Sequence, residues 1–157
     1  MITVRDATAA DLDYIVELAA TKRAQYAAYQ PVFWRPADNA RDKHRLFFGA
    51  ILSREGVWLL VAESEGRRVG FAYASLVPAP PVYDPGGKVC FIDDYAVDRP
   101  ELWESAGRAL AEAAFERAKP LGAVLGNIVV SPRDTDKRSL IEAMGFSVAA
   151  EWHVRTL

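Results

Sequence analysis

Cysteine is nearly absent from this chain: Cys90 is the only one among 157 residues. That excludes an internal disulfide framework and suits a reducing compartment. Histidine is almost as scarce, with only His44 and His153. Such a set, at no ligand spacing, gives no metal site to expect. Neither sign of charge is in excess: 19 basic and 21 acidic residues leave a formal net charge of −2. No polybasic surface for nucleic acid follows from that balance. No apolar run reaches membrane-spanning length, and Met1 is soon followed by Arg5 and Asp6 instead of an apolar signal segment. A cytoplasmic location is therefore expected. The sequence also lacks G-x-x-x-x-G-K-[ST] and G-x-S-x-G, which removes the usual nucleotide phosphate loop and the hydrolase nucleophile elbow.

What remains is globular in composition, 51% apolar and 25% charged, and fits one domain over residues 1–157. ITVRD alternates as a short strand. Thr8 and Asp11 have capping-box spacing, and Leu12, Ile15, Val16 and Ala19 then recur at helical intervals. The aromatic segment YAAYQPVFWRP is interrupted by Pro31 and Pro36, which break a helix. Asp38 or Asn39 can cap a second helix with Phe47, Phe48, Ile51 and Leu52 on its buried side. VWLLVAE and VGFAYASLV read as strands joined by a turn at Gly66. The loop PAPPVYDPGG separates them from a third, KVCFIDDYAV.

A helix from about Trp103 to Lys119, the strand AVLGNIVV and a helix with Leu140, Ile141 and Met144 apolar come next. Gly145 stands where a left-handed C′ residue belongs, and FSVAAEWHVR closes the chain as one or two strands. This order predicts an α+β or α/β domain with a mixed sheet, parallel where helices connect the later strands.

Phe91–Phe115 is the most informative stretch. A strand ending at Val97 turns into a helix whose opening contains Gly107. Such a turn leaves backbone N–H groups unpaired beside the positive end of the helix dipole, a natural seat for a pyrophosphate. The alternative reading is a helix start that packs on the sheet, with Gly107 needed for close approach.

With these residues the element order resembles the GNAT superfamily of acyl-CoA N-acyltransferases. The resemblance begins at ITVRDATAADLDYIVEL, continues through LVAESEGRRVGFAYASLV and ends in KRSLIEAMGF. It implies a mixed, mostly antiparallel sheet flanked by about four helices. It also implies acetyl-CoA as co-substrate and transfer to a small-molecule or peptide amine in a ternary complex. A homodimer is common among similar proteins. The family's Q/R-x-x-G-x-G/A loop corresponds to Leu102, Trp103, Glu104, Ser105, Ala106 and Gly107, so only the last glycine is kept. Ala96, Val97 and Arg108 complete the implied cofactor site, with Arg108 offsetting Glu104.

Asp93 and Asp94 interrupt an apolar strand, and strand period two puts them on opposite faces. Asp93, sharing parity with Phe91 and Tyr95, stands where several similar enzymes carry their base and is the preferred one here; pairing with a nearby cation is the structural alternative for either. The tyrosine that protonates the leaving thiolate in many relatives corresponds to Ile141, and the preceding family asparagine to Asp134. Tyr95 or solvent would then serve, or an unassisted thiolate of pKa ~8.5 would leave. Tyr26, Tyr29, Phe33, Trp34 and Arg35 occupy the connection that resembles a lid over the acceptor. Aromatic walls and a guanidinium there could hold an amine by stacking or clamp a carboxylate. PPVYDPGG is either the opposite rim or a rigid loop with Tyr83 tucked inward. His44 is expected to face solvent, and His153 to be structural. A non-catalytic acyl-CoA-binding or interaction module stays open as an alternative, favoured by Leu102, Ser105 and Ile141, as does a dimerisation domain using AEWHV as a sheet edge.

Overall fold

The computed structural model describes residues 1–157. Strand β1 (Ile2–Asp6) leads to helices α1 (Leu12–Tyr29) and α2 (Ala40–Ile51). Strands β2 (Val57–Ser64), β3 (Arg67–Val77) and β4 (Lys88–Val97) follow. Helix α3 (Arg108–Ala118), strand β5 (Ala123–Ile128) and helix α4 (Thr135–Ala143) complete the regular structure. The five strands lie in chain order in one sheet. Every pair is antiparallel except β4 with β5, the pair joined through a helix, as a parallel crossover requires.

The sheet is covered on both faces, which explains the unbroken apolar run in β2. Leu59 and Val61 point to one face with Leu12, Ile15, Val16, Ala19, Phe48 and Ile51 of α1 and α2. Leu60 and Ala62 point to the other, with Leu110, Ala111, Ala114 and Ala118 of α3. At the β2–β3 turn Glu65 and Gly66 both have positive φ, 51° and 74°, the conformation of a two-residue hairpin loop. Asp11 completes the cap expected before α1, accepting from the Thr8 N–H at 2.8 Å and its hydroxyl at 3.0 Å. Gly145 has φ +87°, as its place after α4 demands.

Three expectations are corrected. Residues 146–157 form no strand, although Ala150, Trp152 and Val154 alternate with Glu151, His153 and Arg155. Alternation makes a segment strand-competent, but a ladder partner has to be adjacent. These residues pair with no strand, although β5 ends the sheet with a free edge, and Val148 and Trp152 stay exposed. In α2, Phe48 and Ile51 are buried but Phe47 is turned outward. Last, the helix expected from Trp103 is built in steps: a 3₁₀ turn at Pro100–Leu102, a π-turn at Trp103–Gly107, then α3.

Gly107 explains part of that irregularity. Its φ is −59°, which any residue adopts, so its role is steric. A Cβ there would lie 2.7 Å from the Trp103 ring, 3.1 Å from Leu140 and 3.2 Å from the Tyr95 hydroxyl. Gly107→Ala is expected to lower stability in urea by about 1–3 kcal/mol, the usual cost of overpacking. Helix propensity alone would favour alanine by up to about 1 kcal/mol, so a variant as stable as the parent, or more so, would contradict the close packing.

Candidate active site

Strand β4 does not keep its period. Ala72 pairs with Tyr95 and Ala74 with Ile92, so Asp93 and Asp94 together oppose the single residue Tyr73. This is a β-bulge. It reverses the strand's parity: Cys90 and Ile92 pack on the α3 side, and so do Tyr95 and Val97. Asp93 and Asp94 consequently line one cavity on the α1–α2 side. The expected placement on opposite faces is corrected by that one extra residue, as is the parity Asp93 was to share with Tyr95.

The cavity has a volume of about 430 Å³, within the range of small-molecule sites. Helix α1 contributes Lys22, Arg23 and Tyr26, and α2 contributes Lys43, His44 and Phe47, one helical stripe. Phe33, Trp34 and Arg35 close it from the connection between the helices. Trp34 meets Tyr26 and Phe33 edge-on, at centroid distances of 5.5 and 4.7 Å.

The two carboxylates differ in what holds them. Asp94 accepts from Lys22 Nζ at 3.1 Å and from His44 Nε2 at 2.9 Å. The Arg23 guanidinium donates to His44 Nδ1 at 2.6 Å, which fixes the imidazole as the tautomer with its proton on Nε2. Burial works to raise the Asp94 carboxyl, but Lys22 and His44 outweigh it and hold it well below the usual carboxylate range. Asp93 has no side-chain partner; only its carbonyl is touched, by Lys22 Nζ at 3.5 Å. Its carboxylate opens on the cavity, yet the surrounding walls desolvate it and Asp94 adds a like charge. Both raise its pKa.

On the other side of β4 lies a wedge. The ladder to β5 ends at Ile92 opposite Ile128, with the Val129 N–H donating to the Ile92 carbonyl at 3.2 Å. From Asp93 to Val97 no strand flanks that side. The fully buried Lys137 fills part of the gap. Its Nζ donates to the Tyr95 carbonyl at 3.4 Å and lies 4.9 and 5.6 Å from the Tyr95 and Trp103 rings. No carboxylate pairs with it. Burial pushes the Lys137 amine well below the ordinary lysine range; Lys22 adds to this, while Asp134, Asp94 and Asp93 oppose it. The Tyr26 hydroxyl donates to Asp134 at 3.0 Å and accepts from the Ser131 N–H at 3.3 Å, tying α1 to the start of α4.

The residues singled out from the sequence divide accordingly. Asp93, Phe33, Trp34 and Arg35 meet at the cavity; Tyr29 stands outside its lining, packed on Tyr26 at 5.6 Å. Tyr95 is buried in the core, its hydroxyl donating to the Gly107 carbonyl and its ring edge-on to Trp103. Ala96 and Val97 are buried on opposite faces of the sheet. The turn at 102–108 has fewer free amides than its sequence suggests. Leu102 N–H donates to Arg99 O, Trp103 N–H to Pro100 O, and Arg108 N–H to the Ser105 and Trp103 carbonyls. The Trp103 indole packs inward and leaves Glu104 and Ser105 exposed, and Arg108 pairs with Glu104 at 2.6 Å as expected. Residues 78–87 do not line the cavity, and Tyr83 is exposed.

Sequence reasoning missed Lys22, His44 and Lys137. For two of them a signal was present. His44, Phe48 and Ile51 share one helical face, and so do Lys137, Leu140, Ile141 and Met144; both polar residues fell on the side that packs inward. A buried amine without a carboxylate costs stability. Lys137→Met keeps the volume and removes the charge, and is expected to stabilise the fold by roughly 1–2 kcal/mol in urea. Since the folded state binds the Lys137 proton less readily than the unfolded state, parent stability should climb as pH rises toward the ordinary lysine value of about 10. The variant should lose that climb; an unchanged pH dependence would contradict the assignment.

Comparison with known proteins places this geometry. The family model described as "Acetyltransferase (GNAT) family" matches residues 19–146. No curated protein sequence matches the chain. Among solved structures, a transcriptional regulator from Bacillus halodurans is 22% identical, with all of both chains covered and a TM-score of 0.75. An aminoglycoside N-acetyltransferase in complex with CoA is 17% identical over 100% of this chain and 95% of its own, with a TM-score of 0.73. An acetyltransferase from Clostridium acetobutylicum with acetyl-CoA is 16% identical over 99% and 96%, with a TM-score of 0.72. The match over residues 19–146 establishes that the chain belongs to the GNAT acetyltransferase family, and the solved structures share its fold.

Proposed function

We propose that the protein transfers an acetyl group from acetyl-CoA to an amine held in the 430 Å³ cavity, with Asp93 as the general base. One observation carries this reading: the β4 bulge presents a carboxylate with no protein partner, its pKa raised, beside the point where β4 and β5 part. The CoA and acetyl-CoA found with solved relatives support that donor. The wedge along Asp93–Val97 offers a strand side that a ligand could line, and residues 102–108 lie next in the chain. The amides of Leu102, Trp103 and Arg108 are engaged within the chain, so a diphosphate there would depend on the helix dipole and the remaining groups.

In the reaction Asp93 takes a proton from the acceptor's ammonium, directly or through water. The amine nitrogen then attacks the thioester carbonyl carbon, a C–N bond forms, the C–S bond breaks, and the second proton that the nitrogen loses on becoming an amide passes to solvent. Asp94, locked by Lys22 and His44, keeps the negative charge that helps hold Asp93 basic. Ile141 has no proton to give, and the Tyr95 hydroxyl is committed to Gly107. The thiolate therefore leaves unassisted, which a thiol pKa of ~8.5 permits. A reducing, cytoplasmic setting suits the buried free thiol of Cys90, whose pKa burial pushes up to about 11. A homodimer is compatible with this chemistry.

A second reading, a module that binds acyl-CoA without turnover, is favoured by the engaged amides and by Lys137 within the wedge. A thiol-release assay with acetyl-CoA and a broad amine panel separates the two. Turnover should rise with pH as Asp93 loses its proton, above the ordinary aspartate value of ~3.9. Asp93→Asn should lower kcat/KM about 100-fold and abolish that acid limb. Equal rates in parent and variant across pH would remove Asp93 as base, while binding of acetyl-CoA with no release from any amine would favour the module.

A further inference from the structure

Resting on the transferase reading, we propose that the acceptor is an amine that also bears a carboxylate, an amino acid with an apolar or aromatic body, and not a polycation. The charges around the cavity that remain after internal pairing carry this inference. Four cationic side chains line it, Lys22, Arg23, Arg35 and Lys43, against two carboxylates. Lys22 is paired with Asp94, while Arg23 donates to the neutral ring of His44, which engages the guanidinium but leaves its charge in place. Arg35 and Lys43 have no acidic partner and make no side-chain hydrogen bond. One carboxylate without a partner, Asp93, thus shares the cavity with two cations that make no side-chain bond, Arg35 and Lys43, and with the uncancelled charge of Arg23.

That arrangement complements a zwitterion. The ammonium goes to Asp93, where the reacting nitrogen must lie, and the carboxylate to the guanidinium of Arg35 with Lys43 as a second charge. A planar guanidinium suits the second contact because it meets a carboxylate through two parallel hydrogen bonds. Phe33, Trp34 and Phe47 supply apolar surface for the body between them. A ligand with several ammonium groups has only Asp93 to answer it and meets uncompensated like charge at Arg35 and Lys43.

Three probes of the intact protein with acetyl-CoA decide this: phenylalanine, phenylalaninamide and spermidine, each measured by thiol release and by calorimetric binding. Phenylalanine should exceed its amide in kcat/KM and in affinity by about tenfold, the worth of one charge-assisted contact, and spermidine should be weakest. In the double variant Arg35→Gln, Lys43→Gln the ratio of phenylalanine to amide should fall to near one. Both side chains are exposed, and a thermal melt verifies that the variant is folded. Equal or better use of the amide or of spermidine, or a ratio unmoved by the variant, would overturn the proposal. Absence of thiol release from all three would count against the transferase reading; the binding ratios would still decide the ligand class, failing it if the three bind alike or not at all.

Discussion

The site depends on one extra residue in β4. Without the bulge opposite Tyr73, strand alternation would bury one carboxylate among the α3-side apolar residues and leave the other alone. With it, both reach the same cavity, while Tyr95 and Val97 are turned into the core that supports α3. The bulge also falls where β5 ceases to pair with β4. The cavity on one face and the wedge beside the strand therefore meet at a single local irregularity.

The two aspartates acquire different chemistry from the same few ångströms of backbone. Asp94 is half-buried and is held ionised by Lys22 and His44, with Arg23 behind the imidazole. Asp93 is left without a counterion and beside that fixed negative charge, so its proton is held more tightly. Neighbouring carboxylates pushed apart in pKa are a common way to make one an anchor and the other a base. Lys137 extends the pattern to the far side of β4, where an amine sits against two aromatic rings and a single carbonyl. An unpaired buried amine has no structural benefit that a methionine could not supply.

Much of the architecture was legible in the sequence because it follows from period and punctuation. The apolar run of β2, the Gly66 turn, the stripe of α1 and the Gly145 terminus each have one physical reading, and the structure has each of them. The resemblance of the chain's order and motifs pointed to the family that the match over residues 19–146 establishes. What escaped is what period-based reading cannot represent. A bulge has no composition, so FIDDYAV read as seven alternating residues. Neither His44 nor Lys137 was followed onto the buried face its spacing gives it. The amides at Leu102 and Trp103 are consumed by a 3₁₀ turn starting at Pro100, a tightening that hydrophobic pattern does not reveal. The terminal segment shows the converse, an alternation over residues 150–155 that enters no ladder.

The division of labour between the two carboxylates is most directly tested by following their side-chain carboxyl carbons through a pH titration by NMR, with Asp93→Asn and Asp94→Asn fixing the assignments. One resonance, that of Asp93, should titrate above the ordinary aspartate value of ~3.9, while that of Asp94 stays ionised well below it. Two ordinary titrations, or the reverse order, would contradict the bulge-built site.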